Sequence, residues 1–176
     1  MKYFLINAYG KDKVGIVASV SKILYELGFN LEDSTMSRLG GEFTIMLLVE
    51  TDKNYTEEDI KKAFENIEKD LGLNIYVKEI LPEDYKKEKS ENEVYRIIVY
   101  GADKPGIVYK VAKLLADKGI NIIDMTTEKS GDLYVLITEV ELPENLSFEE
   151  FQKDIENLKE DINVDVSCEK IEVIEL

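Results

Sequence analysis

Residues able to do covalent chemistry are scarce in this chain, and the scarcity narrows what it can do. Its 176 residues include no His and a single Cys, Cys168. A Ser-His or Cys-His nucleophile pair therefore cannot be assembled, and no imidazole is available to ligate a metal. No P-loop sequence and no GxGxxG occurs, which removes the common phosphate cradles. Carboxylates and lysines abound, but no spacing among them singles out a catalytic pair. The expectation is a protein that is not an enzyme and that carries no cofactor and no metal. What does recur is one octet, Gly-x-Asp-Lys-x-Gly-Ile-Val, at residues 10–17 and again at 101–108.

That octet is the most visible part of a duplication. Residues 10–33 align without a gap to 101–124, at an offset of 91, with 12 of 24 positions identical. Self-similarity of this kind marks an internal repeat. One residue is expected to drop out in the next turn, RLGGEF against KSGDLY, before the same offset returns at Thr56 and Ser147, Asn66 and Asn157, and Ile80 and Ile171.

Each copy reads as the same series of elements. A strand over Tyr3–Tyr9, matched by Tyr95–Tyr100, leads through the octet into a helix over 15–27, matched by 106–118. Ile16, Val17, Val20, Ile23, Leu24 and Leu27 recur at helical spacing. Gly28 and Gly119 stand where a helix end calls for a left-handed residue. A second strand runs over 30–37, a turn holds Gly40-Gly41, and a third strand runs over 42–50. Thr56-x-x-Asp59 and Ser147-x-x-Glu150 read as capping boxes. They open a helix with Ile60, Phe64 and Ile67 on its buried face, matched by Phe151, Ile155 and Leu158. Leu73, Ile75 and Val77 alternate in a fourth strand, where Val77 is matched by Cys168, a core position.

The order βαββαβ predicts an α+β fold: two tandem ferredoxin-like sandwiches, each an antiparallel sheet with both helices on one face. The expected division is 1–81 and 94–176, joined by a charged linker over 82–93. Strands one and three are apolar on both faces, although a sheet covered on one side should alternate. Either the second face is covered by the sister copy or another chain, or its apolar residues tuck under the linker.

Formal charge is −15 at pH 7, with 10 basic against 14 acidic residues in 1–81 and 9 against 18 in 94–176. Neither half has the cationic surface that displaces counterions from phosphates, so direct nucleic-acid binding is not expected. No apolar stretch approaches membrane-spanning length and no signal peptide is evident, so the expected setting is the cytoplasm, away from membranes.

The octets, followed by Gly-x-Asn-x-x-Asp at 28–33 and 119–124, resemble the ACT domain. Residues 28–49 resemble the glycine cleavage system transcriptional repressor family, itself built of tandem ACT domains. The resemblance covers nearly the whole chain outside the linker. It implies that a small amino acid binds at an interface between two copies, on the loop between strand one and helix one. By position that loop is Asp12, Lys13, Val14, Gly15, Ile16 and Val17, and in the second copy Asp103, Lys104, Pro105, Gly106, Ile107 and Val108, with Asn30 and Asn121 added from strand two. A glycine lets the backbone approach a ligand, free N–H groups at a helix start hold a carboxylate, and Asn both donates and accepts. Plainer readings stand beside these. Asp12 and Asp103 also suit helix caps, Gly15 and Gly106 suit tight packing, and Asn30 and Asn121 suit turns.

The copies diverge at Glu32 and Ser34, which become Ile123 and Met125, and at Val14, which becomes Pro105. Strand alternation places Asn30, Glu32 and Ser34 on one face. The expectation is an inequivalent pair, the first copy suited to a polar ligand and the second to packing. The resemblance implies a non-catalytic regulator that senses an amino acid, glycine or serine, and modulates a protein partner, as a homo-oligomer, with transcriptional control of amino-acid metabolism as its setting. The alternative is a ligand-free interaction module acting as an oligomerisation adaptor. Some folate deformylases begin with a similar segment, but their catalytic domain does not follow here.

Overall fold

The computed structural model describes residues 1–81, 84 and 92–171. The expected linker, 82–93, lies for the most part outside them. Two compact units divide the chain, Met1–Lys87 and Glu88–Leu176.

Unit 1 runs β1 (Lys2–Lys11), α1 (Ile16–Leu27), β2 (Asn30–Leu39), β3 (Glu42–Thr51), α2 (Glu57–Leu71) and β4 (Leu73–Ile80). Unit 2 repeats it as β5 (Val94–Ala102), α3 (Ile107–Asp117), β6 (Asn121–Ser130), β7 (Leu133–Glu141), α4 (Phe148–Ile162) and β8 (Asp165–Lys170). The sheets are antiparallel, with strand orders β2-β3-β1-β4 and β6-β7-β5-β8. The α+β sandwich read from the repeat is therefore present twice. No residue drops out at the hairpin: Gly40 and Gly131 both begin its turn, so the offset of 91 holds there too.

The helices form where the sequence places their ends. Thr56 and Asp59 make a complete capping box: Asp59 N–H donates to Thr56 Oγ1 at 3.2 Å, and Thr56 N–H donates to Asp59 Oδ2 at 2.9 Å. Ser147 and Glu150 repeat it on α4. Gly28 and Gly119 both adopt left-handed backbone. One face of each sheet packs on its helices. In unit 1, Phe4, Ile6 and Ala8 of β1 meet Ile16, Val20 and Leu24 of α1 and Ile60 and Phe64 of α2, all buried. Unit 2 builds a separate core around Ile97, Val99, Val111, Leu115, Phe151 and Ile155.

The opposite sheet faces differ between the units. Unit 1 carries Leu5, Met46, Leu48 and Tyr76 there, with Met46 and Tyr76 exposed. In unit 2 the positions of Leu5 and Leu48 are held by Arg96 and Glu139, which pair at 2.8 Å.

Strand β2 departs from simple alternation. Its register on β3 slips between Leu31, opposite Val49, and Asp33, opposite Leu48. A bulge of this kind inverts the facing of everything after it. Asn30 pairs with Glu50 on the sheet face away from the helices, whereas Ser34 pairs with the buried Leu47 on the helix side. Asn30 and Ser34 do not share a face. The same slip occurs between Ile122 and Asp124.

Candidate ligand-binding site

The octet builds the same loop in both units, and five of its positions have a definable structural task. Gly10, one residue before the end of β1, lies opposite Leu73 at the start of β4, and an added Cβ there would lie 2.8 Å from the Gly72 carbonyl oxygen. Gly15 is the N-cap of α1 with φ +95°, and Gly106 the N-cap of α3 with φ +94°. An added Cβ there would meet nothing within 4 Å. These two glycines are therefore required by backbone conformation and not by tight packing.

Asp12 and Asp103 do not cap the helix that follows, and no side chain caps α1 or α3. They fasten the loop to the tip of the neighbouring hairpin instead. The Asp12 N–H donates to the Gly41 carbonyl at 2.9 Å, and Arg38 reaches its carboxylate at 3.4 Å. In unit 2 the Asp103 N–H donates to the Asp132 carbonyl at 3.0 Å, and Lys129 pairs with its carboxylate at 2.5 Å. Arg38 and Lys129 are equivalent positions, so the latch is duplicated.

Lysine fixes the other side of the loop. Lys13 Nζ donates to the Leu71 carbonyl at 2.8 Å, and Lys104 Nζ to the Asn163 carbonyl at 3.2 Å. Each ammonium thus sits at a helix C-terminus, where carbonyls and the helix dipole favour a cation. Ile16 and Ile107 are core residues, 2% and 3% exposed. Val14 is fully exposed, and Val17 and Val108 are partly so. The loop therefore offers a ligand its backbone. With no side-chain cap, the first-turn N–H groups of α1 and α3 form an electropositive end suited to a carboxylate.

Asn30 is not brought to this loop. It lies opposite Glu50, and its Nδ2 donates to Glu50 Oε1 at 3.5 Å, while the loop end of β1 lies opposite Glu42. Eight residues of β3 separate those stations, roughly 26 Å at strand rise. Asn121 stands likewise opposite Glu141, with Leu133 at the loop end. Within one copy, loop and Asn cannot hold one small molecule.

Two recesses went unread in the sequence. In unit 2 the loop borders a cleft of about 210 Å³ where Lys104, Pro105, Gly106 and Ile107 meet Lys110, Asp161, Ile162 and Asn163. Lys110 pairs there with Asp161 at 2.8 Å. Lys110 lies one helical turn beyond Gly106, which was a usable signal; Asp161 gave none. In unit 1 an apolar groove of about 140 Å³ runs between α1 and β2, lined in part by Val17, Leu24, Phe29, Leu31, Met36 and Leu47. Among the described residues no three His, Cys, Asp or Glu side chains converge as a metal set, and no helix is long and apolar enough to cross a membrane.

Comparison with known proteins supplies the family. Models of the ACT domain match residues 2–78 and 95–164. A UPF0237 protein of Streptococcus mutans is 36% identical over 73 residues, 42% of this chain and 83% of that protein. An unknown protein from Galdieria sulphuraria superposes with a TM-score of 0.81 at 28% identity, covering 97% of this chain and 98% of its own. A protein provisionally named as a glycine cleavage system transcriptional repressor superposes with a TM-score of 0.71 over 98% of each chain; at 18% identity this shows the fold alone. With a matching model and the same βαββαβ sandwich in each unit, this chain belongs to the ACT-domain family and carries two such domains in tandem.

Proposed function

We propose that this protein is a non-catalytic sensor that binds a small amino acid and modulates a protein partner. The observation that carries the reading is the duplicated loop: a helix start left uncapped behind a left-handed glycine, and joined to its neighbours by an aspartate latch and a lysine tether. A loop fixed in advance can present N–H groups to a carboxylate without a large ordering cost.

The separation of loop and Asn30 supports assembly with another chain. A two-fold contact between first domains would bring the loop of one to the Asn30 of the other, giving two equivalent sites. The ligand would then favour the assembled state by its differential affinity, and through it the partner interaction. Glycine or serine as ligand, and transcriptional control of amino-acid metabolism in the cytoplasm as setting, follow from the likeness to glycine cleavage repressors.

The test is thermal shift of the full chain against a panel of amino acids, repeated with Asn30→Ala. A rise in melting temperature with one or a few amino acids, lost in the variant, is expected. A second reading draws on the same latch, because Asp12 and Lys13 already have structural partners. In that reading the domains serve only as an oligomerisation adaptor. Unchanged melting against the whole panel, together with concentration-dependent assembly, would favour it over the sensor.

A further inference from the structure

The residues that line the groove in unit 1 differ from their unit 2 equivalents at several positions, among them Ser21 (Ala112), Tyr25 (Ala116), Met36 (Thr127) and Leu47 (Thr138), and a further difference on β2 bears on the space itself. In unit 1 the helix-side face of β2 carries Leu31, Ser34 and Met36, with the bulge setting their direction. Ser34 is exposed and lies opposite Leu47, which lines the groove. The space beside α1 is open, and Tyr25, Leu31 and Met36 at its edges are 83%, 54% and 45% exposed. In unit 2 the residue equivalent to Ser34 is Met125. It lies opposite Thr138, is partly buried and packs against the unit 2 core. Unit 2 thus has a flexible aliphatic side chain at the position where unit 1 has a hydroxymethyl group.

We infer that the unit 1 groove takes the aliphatic side chain of a free amino acid of leucine, isoleucine or methionine size, and that Met125 fills the corresponding space in unit 2. The inference rests on the sensor reading of an amino-acid site but replaces glycine or serine as its ligand with a larger aliphatic amino acid. Three observations converge on it. The groove is lined almost wholly by apolar atoms, and its volume of about 140 Å³ approaches that of an apolar cavity of about 150 Å³ that holds a benzene. The chain's own Met125 shows the size and chemistry of a side chain that packs at this position. Val17, which lines the groove, also belongs to the uncapped first turn of α1, so carboxylate donors and apolar space adjoin. A ligand holding its carboxylate on those N–H groups can lay its side chain past Val17 toward Met36 and Leu47. Glycine would leave the groove empty, and serine would bury too little apolar surface in it to gain much.

Isothermal calorimetry on the full chain, with glycine, serine, valine, leucine, isoleucine, methionine and phenylalanine, tests this. Each methylene taken into the groove strengthens binding about fourfold, so leucine or methionine should bind about tenfold or more tightly than glycine. Ser34→Met, which places the counterpart of Met125 in unit 1, should abolish that preference. Methionine-methyl carbon spectra of the unaltered chain give an independent readout: Met36 should shift on titration with leucine while Met125 stays in place. Binding of glycine or serine without the aliphatic amino acids would overturn the inference and leave the sensor reading standing. Aliphatic binding that moves Met125 but not Met36, or that Ser34→Met leaves unchanged, would overturn it as well. Silence across this panel would overturn the inference, whereas the sensor reading would fall only if the thermal-shift panel were silent as well.

Discussion

A methyl group added at Gly10 would collide with the backbone of Gly72, whereas one at Gly15 would meet open space. The two substitutions should therefore fail for different reasons. Gly10→Ala forces β1 away from β4 and is expected to lower unfolding free energy by about 1–3 kcal/mol, as overpacking does. Gly15→Ala must hold a left-handed conformation, a cost of about 1–2 kcal/mol. Urea unfolding should show both losses, and only Gly15→Ala should be rescued by Gly15→Asn, since Asn tolerates the left-handed region. Cys168 allows a separate check. Burial pushes its thiol up to about 11, with a smaller contribution from Glu169, so the thiolate is scarce at neutral pH. Alkylation by iodoacetamide at pH 7 should be slow in the folded chain and should accelerate sharply on unfolding, as mass spectrometry would show.

Among the elements, the capping boxes make the clearest case. Hydrogen bonds from Thr56 hold the Asp59 carboxyl below the ordinary aspartate range. A carboxyl depressed in the folded state stabilises fully above its unfolded pKa, and that contribution fades as pH falls through the lower folded value. Asp59→Ala should therefore weaken the chain at neutral pH and flatten the acid side of its stability profile. Thr56→Ala should cost about 1 kcal/mol, measured the same way. Such boxes were legible because every group in them lies within four residues. The bulge in β2 was not. It depends on which residue of β3 lies opposite, a contact 15 to 18 residues away along the chain, so alternation placed Asn30 and Ser34 together when the register separates them. The helix-cap alternative for Asp12 failed for the same reason: its partners, Gly41 and Arg38, arrive only when the hairpin folds back. Loop positions were legible from the duplicated octet; the groove, made by α1, β2 and β3 together, was not.

At the scale of the molecule, two separate cores imply that each unit has what it needs to fold. A fragment of residues 1–81 contains the whole unit 1 core. It should unfold cooperatively in urea with mixed helix and strand circular dichroism, although a domain of about 80 residues is near the size where stability is modest. A fragment that stayed disordered would mean that unit 1 depends on the rest of the chain. The matched lengths of the two units carry a further consequence. Every element boundary in unit 2 falls within one residue of its counterpart in unit 1 advanced by 91. The chain can therefore exchange parts with itself. Grafting residues 28–39 over 119–130 would carry in the bulge and replace Met125 with the equivalent of Ser34, leaving strand lengths and turns in step. Recombination between the two halves of the gene, in evolution or at the bench, can thus produce chimeras that trade specificity between domains without changing chain length.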